Sequence, residues 1–352
     1  MATAPKSFCA RIIPVLLMLL ILAVSTGCSP TRSIRLTGQT MGTVYHITII
    51  APLFTSADNL QKKVDRRLET LNQHLSTYLA TSEISRFNEN DRAGAPFRPS
   101  ADFAAMIQLG QRLYRLTDGA WDGTIRPLVR LWGFDNPGQP PARLPEPGDV
   151  ARALQCIGFE HIQVLPSGDI VKDVPCLVLD FASIAKGYGV DQLAALLKAE
   201  GLENFLVEIG GEVVTAGTRK DGRPWQVGIN VPDPAAPATQ VRQALPLSDK
   251  AIATSGDYRN FFIRDGIVYC HVIDPQTGYP VSTGVVSATV TAGTCALADG
   301  LATALMVMGV NEGLALVDSL AGVECLLTVR RPDGSYQDFY SNLFRRQGEP
   351  HE

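Results

Sequence analysis

Between residues 56 and 75 the apolar positions Leu60, Val64, Leu68, Leu71 and Leu75 recur every three or four residues among charges, which predicts an amphipathic helix. Phe103, Ile107, Leu113 and Leu116 predict a second helix over 100–117, and a short third follows near 149–157. Residues 185–200 read as a helix closed by Gly201. In "CALADGLATALMVMG", 295–309, Leu297, Leu301, Leu305 and Met308 keep helical spacing, and 311–320 predicts a further helix. Alternation predicts strands in "SIRLTGQTMGTVYHITII", "CLVLDF", "NFLVEIGGEVVTAGT", "PWQVGINV", "LSDKAIATSG" and "GVVSATVTA", with more strand up to 341. "FFIRDGIVYCHVI" reads as a hairpin turning at Asp265-Gly266. The Pro-rich stretch 135–149 is an exposed loop. There is no internal repeat, and the mixture is α+β rather than strict βαβ alternation.

The first residues break this pattern. Lys6 and Arg11 precede an apolar run over 12–24 that is too short for a comfortable membrane span, so it reads as a signal peptide. "STGC" then places Cys28 after small residues. The arrangement resembles a bacterial lipoprotein signal in which the cysteine is lipidated, although Ser25 stands where that pattern usually has Leu. Ordinary secretion with an incidental cysteine is the alternative. On the lipoprotein reading residues 1–27 are removed, 28–36 form the lipidated cysteine and a tether, and Ser29 hints at outer-membrane rather than inner-membrane sorting. The protein would then sit in the bacterial cell envelope, lipid-anchored and facing the periplasm.

Removing Lys6 and Arg11 from the 31 basic residues leaves 29 against 35 acidic ones, a net charge of −6. With no basic run, nucleic acid is excluded as a partner. Besides Cys28, the mature chain has Cys156, Cys176, Cys270, Cys295 and Cys325, none in a CxxC pattern. One pair could bridge in an oxidising compartment, but the sequence offers no pairing, and buried free thiols are the simpler expectation.

The chemistry concentrates in three islands. Asp299 and Thr303 are four residues apart and share a helix face, where a carboxylate and a hydroxyl can both meet a hard cation. Asp299 could equally complement the start of its own helix. In "LDFASIAKGYGVDQL", 179–193, a strand ends at Asp180 and a helix opens near Ala185; free N–H groups there suit a phosphate, with Lys186 as a point charge. A tight strand-to-helix connection with a solvated lysine would look the same. Gln192 stands where a dinucleotide fingerprint needs its third Gly, so that fingerprint is rejected. In "HVIDPQTGYP", 271–280, His271 could serve as acid, base or phosphate donor, or be a strand histidine before a plain turn. His46, His74, His161 and His351 read as structural. Weaker patches hold Met41, Tyr78, Trp121, Asp122 and Trp132, and "EIGG" gives Gly210 and Gly211, where a ligand could approach the backbone. P-loop, HExxH and GxSxG signals are missing.

Taken in order, these islands resemble the FAD:protein FMN transferase (ApbE) family from about Gly38 to about Gly309. The resemblance rests on Asp-x-x-x-x-Ala-Lys-Gly-Tyr at 180–188, His-Val-Ile-Asp-Pro-x-Thr-Gly at 271–278 and Ala-Asp-x-Leu-x-Thr at 298–303. Met-Gly-Thr at 41–43, Ser-x-Tyr at 76–78 and Trp-Gly-Phe at 132–134 support it. It implies a single large, two-lobed, T-fold-related α+β domain over 37–345, with 346–352 as a flexible tail. The implied activity is Mg²⁺-dependent transfer of the FMN half of FAD onto a Thr or Ser hydroxyl through a phosphoester, releasing AMP. The implied acceptor carries a Ser/Thr-Gly-Ala-Thr/Ser-type motif in a subunit of a membrane redox complex.

The resemblance also implies roles. Asp299 and Thr303 would hold Mg²⁺ with the carbonyl of Ala185 or the hydroxyl of Ser183. Asp180 and Lys186 would bind FAD, Lys186 near the phosphates. Met41, Tyr78, Ala120, Trp121 and Asp122 would line the flavin or adenosine site, Val272 would pack on it, and His271 would assist proton transfer. "DFAS" replaces the Gly-rich turn frequent in the family, and Gly300 and Ala302 stand where Ala and Ser are frequent. A Mg²⁺-dependent FAD pyrophosphatase giving FMN and AMP could use the same residues, and a non-catalytic FAD-binding lipoprotein is the remaining alternative.

Overall fold

The computed structural model describes residues 30–135, 141–237, 240–258 and 260–344. The expected signal segment, Cys28, Ser29 and the expected C-terminal tail lie outside these residues, whereas residues 31–36 of the expected tether are not a tether but part of the first strand, paired with the second. The described elements run β1 (Thr31–Thr40), β2 (Thr43–Pro52), α1 (Ala57–Leu75), α2 (Glu83–Glu89), α3 (Ala101–Leu116), α4 (Arg126–Leu131) and α5 (Pro147–Leu154). The short pair β3 (Ile162–Val164) and β4 (Ile170–Lys172) precedes α6 (Ala182–Ala199), β5 (Asn204–Ile209), β6 (Glu212–Ala216) and β7 (Trp225–Asn230). Then come β8 (Val241–Leu247), β9 (Ala251–Gly256), β10 (Phe261–Arg264), β11 (Ile267–Cys270), β12 (Val285–Ala292), α7 (Cys295–Ser319), β13 (Glu324–Arg330) and β14 (Tyr336–Tyr340).

One eight-stranded sheet in the order β1-β2-β5-β6-β9-β12-β13-β14 organises the molecule, with antiparallel pairing at every step. Its first hairpin turns through Met41 and Gly42, both at positive φ (49° and 73°), the combination a two-residue hairpin turn of matching twist needs. In the middle of the sheet β9 alternates between two cores. Ala251 and Ala253 face the helices, while Ile252 joins Val213, Val227, Ile229, Leu245, Leu247, Leu326 and Phe344 under the β7–β8 hairpin. β12 is buried along its whole length.

Helices α1, α6 and α7 cover the other face. All five periodic positions of α1 are buried, as the spacing predicts. Alpha-helix α7 is long and apolar enough to cross a membrane by length and composition, but here it is a core helix packed on α6, β9 and β12. Gly309 (φ 75°, ψ −173°) interrupts it, so the two helices expected at 295–309 and 311–320 are two segments meeting at a kink. A smaller cluster, Leu128, Trp132, Phe134, Val150, Ile157 and Ile273, sits under the β10–β11 hairpin. There Trp132 stacks on Tyr269 at 5.6 Å and Phe134 lies 5.5 Å from Phe262.

Two expectations are corrected. "CLVLDF" is not a strand: Leu177 and Leu179 are fully buried, but their stretch joins no ladder. The Asn88 side-chain amide instead satisfies Leu179 on both sides, accepting from its N–H at 2.7 Å and donating to its carbonyl at 2.9 Å. Nor are all the cysteines free, because Cys156 and Cys176 form a disulfide, while Cys270, Cys295 and Cys325 are buried thiols. The partners lie 20 residues apart on a loop whose closure no periodicity announces.

The site depends on how closely α6 and α7 approach. A Cβ on Gly187 would stand 2.6 Å from the Cys295 carbonyl oxygen and 2.8 Å from the Ala296 Cα. The two backbones therefore touch, and only glycine fits. Asp191, one turn further along α6, accepts hydrogen bonds from the N–H groups of Cys295 (2.8 Å) and Ala296 (2.9 Å) and so caps α7 from outside. Gly187→Ala should destabilise the fold by about 1–3 kcal/mol, the usual cost of overpacking, read as a lower urea midpoint; an unchanged midpoint would refute this contact.

Candidate active site

Beside the α6–α7 contact, between the sheet and the α4 region, opens a cleft of about 830 Å³. Its walls bring together most of the residues singled out from sequence. Asp180, Ser183, Lys186, Asp299 and Thr303 line it, as do His271 and Val272. So do Tyr78, Ala120, Trp121 and Asp122. Met41 and Ala185 are not among the lining residues. Met41 lies in the β1–β2 turn with its thioether end against Gly189, and the Ala185 N–H is spent on the Phe181 carbonyl at 2.7 Å.

The charged centre of the cleft is a triad. Asp299 is 3% exposed, and its Oδ2 accepts the Gly187 N–H at 3.1 Å, so it answers to α6 rather than capping its own helix. Lys186 Nζ, one residue before Gly187, donates to Glu212 Oε1 at 2.7 Å. Glu212 is 4% exposed, and its Oε2 is buried with no partner. Sequence reading missed Glu212, although it directly follows the quoted "EIGG"; both glycines of that turn take positive φ (63° and 106°). Thr303 shares a hydrogen bond of 3.1 Å with Ser255 and lies 3.4 Å from the Asp299 carbonyl, one turn up α7.

One ammonium cannot neutralise two buried carboxylates. Burial raises the Asp299 carboxyl, and Lys186 and the Gly187 N–H pull it partly back. Burial and the Asp299 charge push Glu212 up to about 8 against the pull of Lys186. Burial alone would lower Lys186, but the two carboxylates raise it above its ordinary value, so it stays charged. The triad therefore holds a proton, or has room for another cation. Among the described residues no three His, Cys, Asp or Glu side chains converge on one point. Mg²⁺ does not require such a cluster, since it takes one or two carboxylates and fills its shell with water and phosphate oxygens. The unpartnered Glu212 oxygen and the surplus negative charge also fit such an ion.

The remaining residues build the walls. Trp121 Nε1 donates to Ser183 Oγ at 2.9 Å and packs on Phe159, fixing the start of α6 against the 120–124 turn. Asp122 accepts from the Thr124 N–H (2.7 Å) and hydroxyl (2.6 Å); burial nevertheless pushes it up to about 6. Asp180 Oδ1 accepts the Ala182 N–H at 2.8 Å, occupying the first donor of α6 with protein. Tyr78 is 87% exposed at the rim, an unusual setting for a ring. His271 Nδ1 lies 3.1 Å from the Asn260 carbonyl, which can only accept, so Nδ1 carries the proton and Nε2 is left with a lone pair. Burial lowers the His271 pKa, against the raising effect of that carbonyl, so the ring is neutral at neutral pH.

A deep cleft with charged groups at its floor and rings at its walls and rim is the form of a site for a small-molecule substrate or cofactor. The sequence profile of the ApbE family matches residues 41–327. An FAD:protein FMN transferase of Vibrio cholerae is 40% identical over 326 residues, covering 92% of this chain and 96% of the relative. A Haemophilus influenzae protein of the same name is 35% identical, covering 92% and 93%. The flavin transferase ApbE structure from Vibrio cholerae superposes with a TM-score of 0.81 at 39% identity, over 90% of this chain and all of the other. The chain belongs to the ApbE family and is a transferase.

The triad makes stability depend on pH. With metal chelated, folded Glu212 keeps a proton up to about pH 8 that the unfolded chain releases near 4.5. The folded state binds more protons across that window, so stability should fall as pH rises from about 4.5 to about 8, by on the order of a few kcal/mol. Urea midpoints measured in EDTA at pH 5 and pH 8 check this. Glu212→Gln should flatten the difference, and a midpoint that rises with pH would contradict the arrangement.

Proposed function

We propose that the chain transfers the FMN half of FAD to a Thr or Ser hydroxyl of an acceptor protein, with Mg²⁺, and releases AMP. The observation that carries the reading is the Asp299–Lys186–Glu212 triad, whose negative surplus and unpartnered oxygen suit a magnesium diphosphate, in a chain of the ApbE family. Asp299 and Thr303 hold the ion, with the Ser183 hydroxyl or the Ala185 carbonyl completing the protein ligands. The ion supplies neutralisation of the diphosphate charge.

Lys186 adds a second positive charge beside the phosphates by turning from Glu212. Tyr78 offers its exposed ring face to a flat heterocycle, while Ala120, Trp121, Asp122, Asp180 and Val272 wall the nucleotide. The acceptor hydroxyl oxygen attacks the phosphorus on the flavin side. A new P–O bond forms, the P–O bond to AMP breaks, and the hydroxyl proton passes to His271 Nε2. Geometry favours His271 because its tautomer is set by Asn260 and its ring is neutral.

On this reading the acceptor is a membrane redox subunit with a Ser/Thr-Gly-Ala-Thr/Ser-type motif. The enzyme is held to the bacterial cell envelope through lipidated Cys28 and faces the periplasm. The Cys156–Cys176 disulfide supports an oxidising compartment.

Incubation with FAD, Mg²⁺ and an acceptor domain bearing that motif should add the mass of one FMN to the acceptor, and EDTA should prevent it. Free FMN and AMP without a mass gain would indicate a pyrophosphatase instead, and intact FAD throughout would leave only binding. Asp299→Ala should lower transfer by about 10²–10³-fold, the scale for losing one charge-stabilising group, while its melting temperature shows that the fold is retained.

The pH dependence follows from His271. Its lowered pKa keeps the base form present at neutrality, so kcat/KM should be level there and fall on acidification with an apparent pKa below 6.5. His271→Gln should be slow and lack that acidic limb. An unchanged limb in the variant would remove His271 as the base.

A further inference from the structure

Among the described residues three buried side-chain atoms have no hydrogen-bond partner: Arg126 Nε, Glu212 Oε2 and Thr291 Oγ1. Arg126 and Glu212 both line the cleft. Glu212 belongs to the triad; Arg126 has no role assigned so far. It opens α4 and is 8% exposed. Its Nη1 donates to Asp180 Oδ2 at 3.2 Å, while Nη2 lies 3.9 Å from Asp135 Oδ2, beyond hydrogen-bond reach. A guanidinium carries five N–H donors, and the one on Arg126 Nε is buried without a partner, where an unspent donor is costly.

Neutralising Asp180 would need only a positive charge, which a lysine could supply. A planar fork with spare donors is suited to a planar partner. Asp180 has capacity too: each carboxylate oxygen accepts one protein hydrogen bond and retains a second lone pair. The pair thus presents a donor beside an acceptor, next to Trp121, Ile125, Val129 and Phe134, whose apolar surfaces also line the cleft. The complementary ligand is a flat heterocycle whose edge sets an N–H beside a ring nitrogen or carbonyl. FAD has two such edges, the pyrimidinedione of its isoalloxazine and the amino edge of its adenine.

We infer that Arg126, together with Asp180, reads the hydrogen-bonding edge of one heterocycle of the dinucleotide substrate. The inference rests on the FAD reading above and adds a specificity-determining residue to it.

The test measures dissociation constants of the full chain, with Mg²⁺, for FAD, FMN and ADP separately. Arg126→Lys keeps the charge beside Asp180 but removes the fork. It should weaken one half-ligand about tenfold or more and spare the other, at an unchanged melting temperature. Loss confined to FMN places the isoalloxazine at Arg126, and loss confined to ADP places adenine there. Unchanged affinity for both halves, or parallel loss of both, overturns the inference. Should the variant fold poorly, the unmodified chain decides with N3-methyl-FMN and N6,N6-dimethyl-ADP: one must bind about tenfold more weakly than its parent, and equal binding of both pairs overturns the inference. A wild-type chain that binds none of FAD, FMN and ADP overturns the flavin reading along with it, whereas normal binding with an indifferent variant overturns this inference alone.

Discussion

Contact between the backbones of α6 and α7 is the constraint on which the site depends. Gly187 has no side chain because the Cys295 carbonyl occupies that space. The same residue turns its N–H to Asp299, and its neighbour Lys186 reaches Glu212 at the edge of β6. Asp191 then ties the start of α7 to α6 through two further N–H groups. Burial of Asp299 and Glu212 would be prohibitive without the ammonium, and the residue that supplies it directly precedes the glycine that makes the close approach. Packing and electrostatics are therefore one arrangement.

Its incompleteness points to function. A structural ion pair normally closes its hydrogen bonds and charge, as Arg67 and Asp102 do with help from His74 and Tyr188. In the cleft two charged side chains keep unused atoms, one an acceptor and one a donor. Such groups cost stability in the free protein, and a site that must hold a charged, multi-part substrate is where that cost is tolerated. The cleft also draws its walls from distant parts of the chain: α6, α7 and β6 provide the charged floor, the 120–126 region Trp121 and Arg126, and the segment after β11 the histidine.

The three sequence islands were legible because each is short and keeps its chemistry within one or two turns. Asp299 and Thr303 had to share a face once 295–309 was helical, and they do. Glu212 and Arg126 escaped notice although Glu212 stood in a quoted stretch and Arg126 lies between Asp122 and Trp132. Neither has a local signature, since each matters through partners 26 and 54 residues away, Lys186 and Asp180. "CLVLDF" misled for the converse reason. Its alternation is real and its leucines are buried, but the backbone bonds of Leu179 go to a side-chain amide, which periodicity cannot foresee.

By itself the sequence determined what near neighbours decide: the buried stripe of α1, the β10–β11 turn at Asp265-Gly266, the break at Gly309, and the residue types available for catalysis. These follow from 3.6- and 2-residue periods and from backbone freedom at glycine, all properties of a short window. Only the tertiary structure decided that Cys156 meets Cys176, that Asp299 answers to α6 rather than to its own helix, and that one ammonium serves two carboxyls. The physical reason is that a period specifies which face of an element is buried, while the opposing element, and so the charge, burial and hydrogen bonding of each group, is set by packing between segments far apart in the chain.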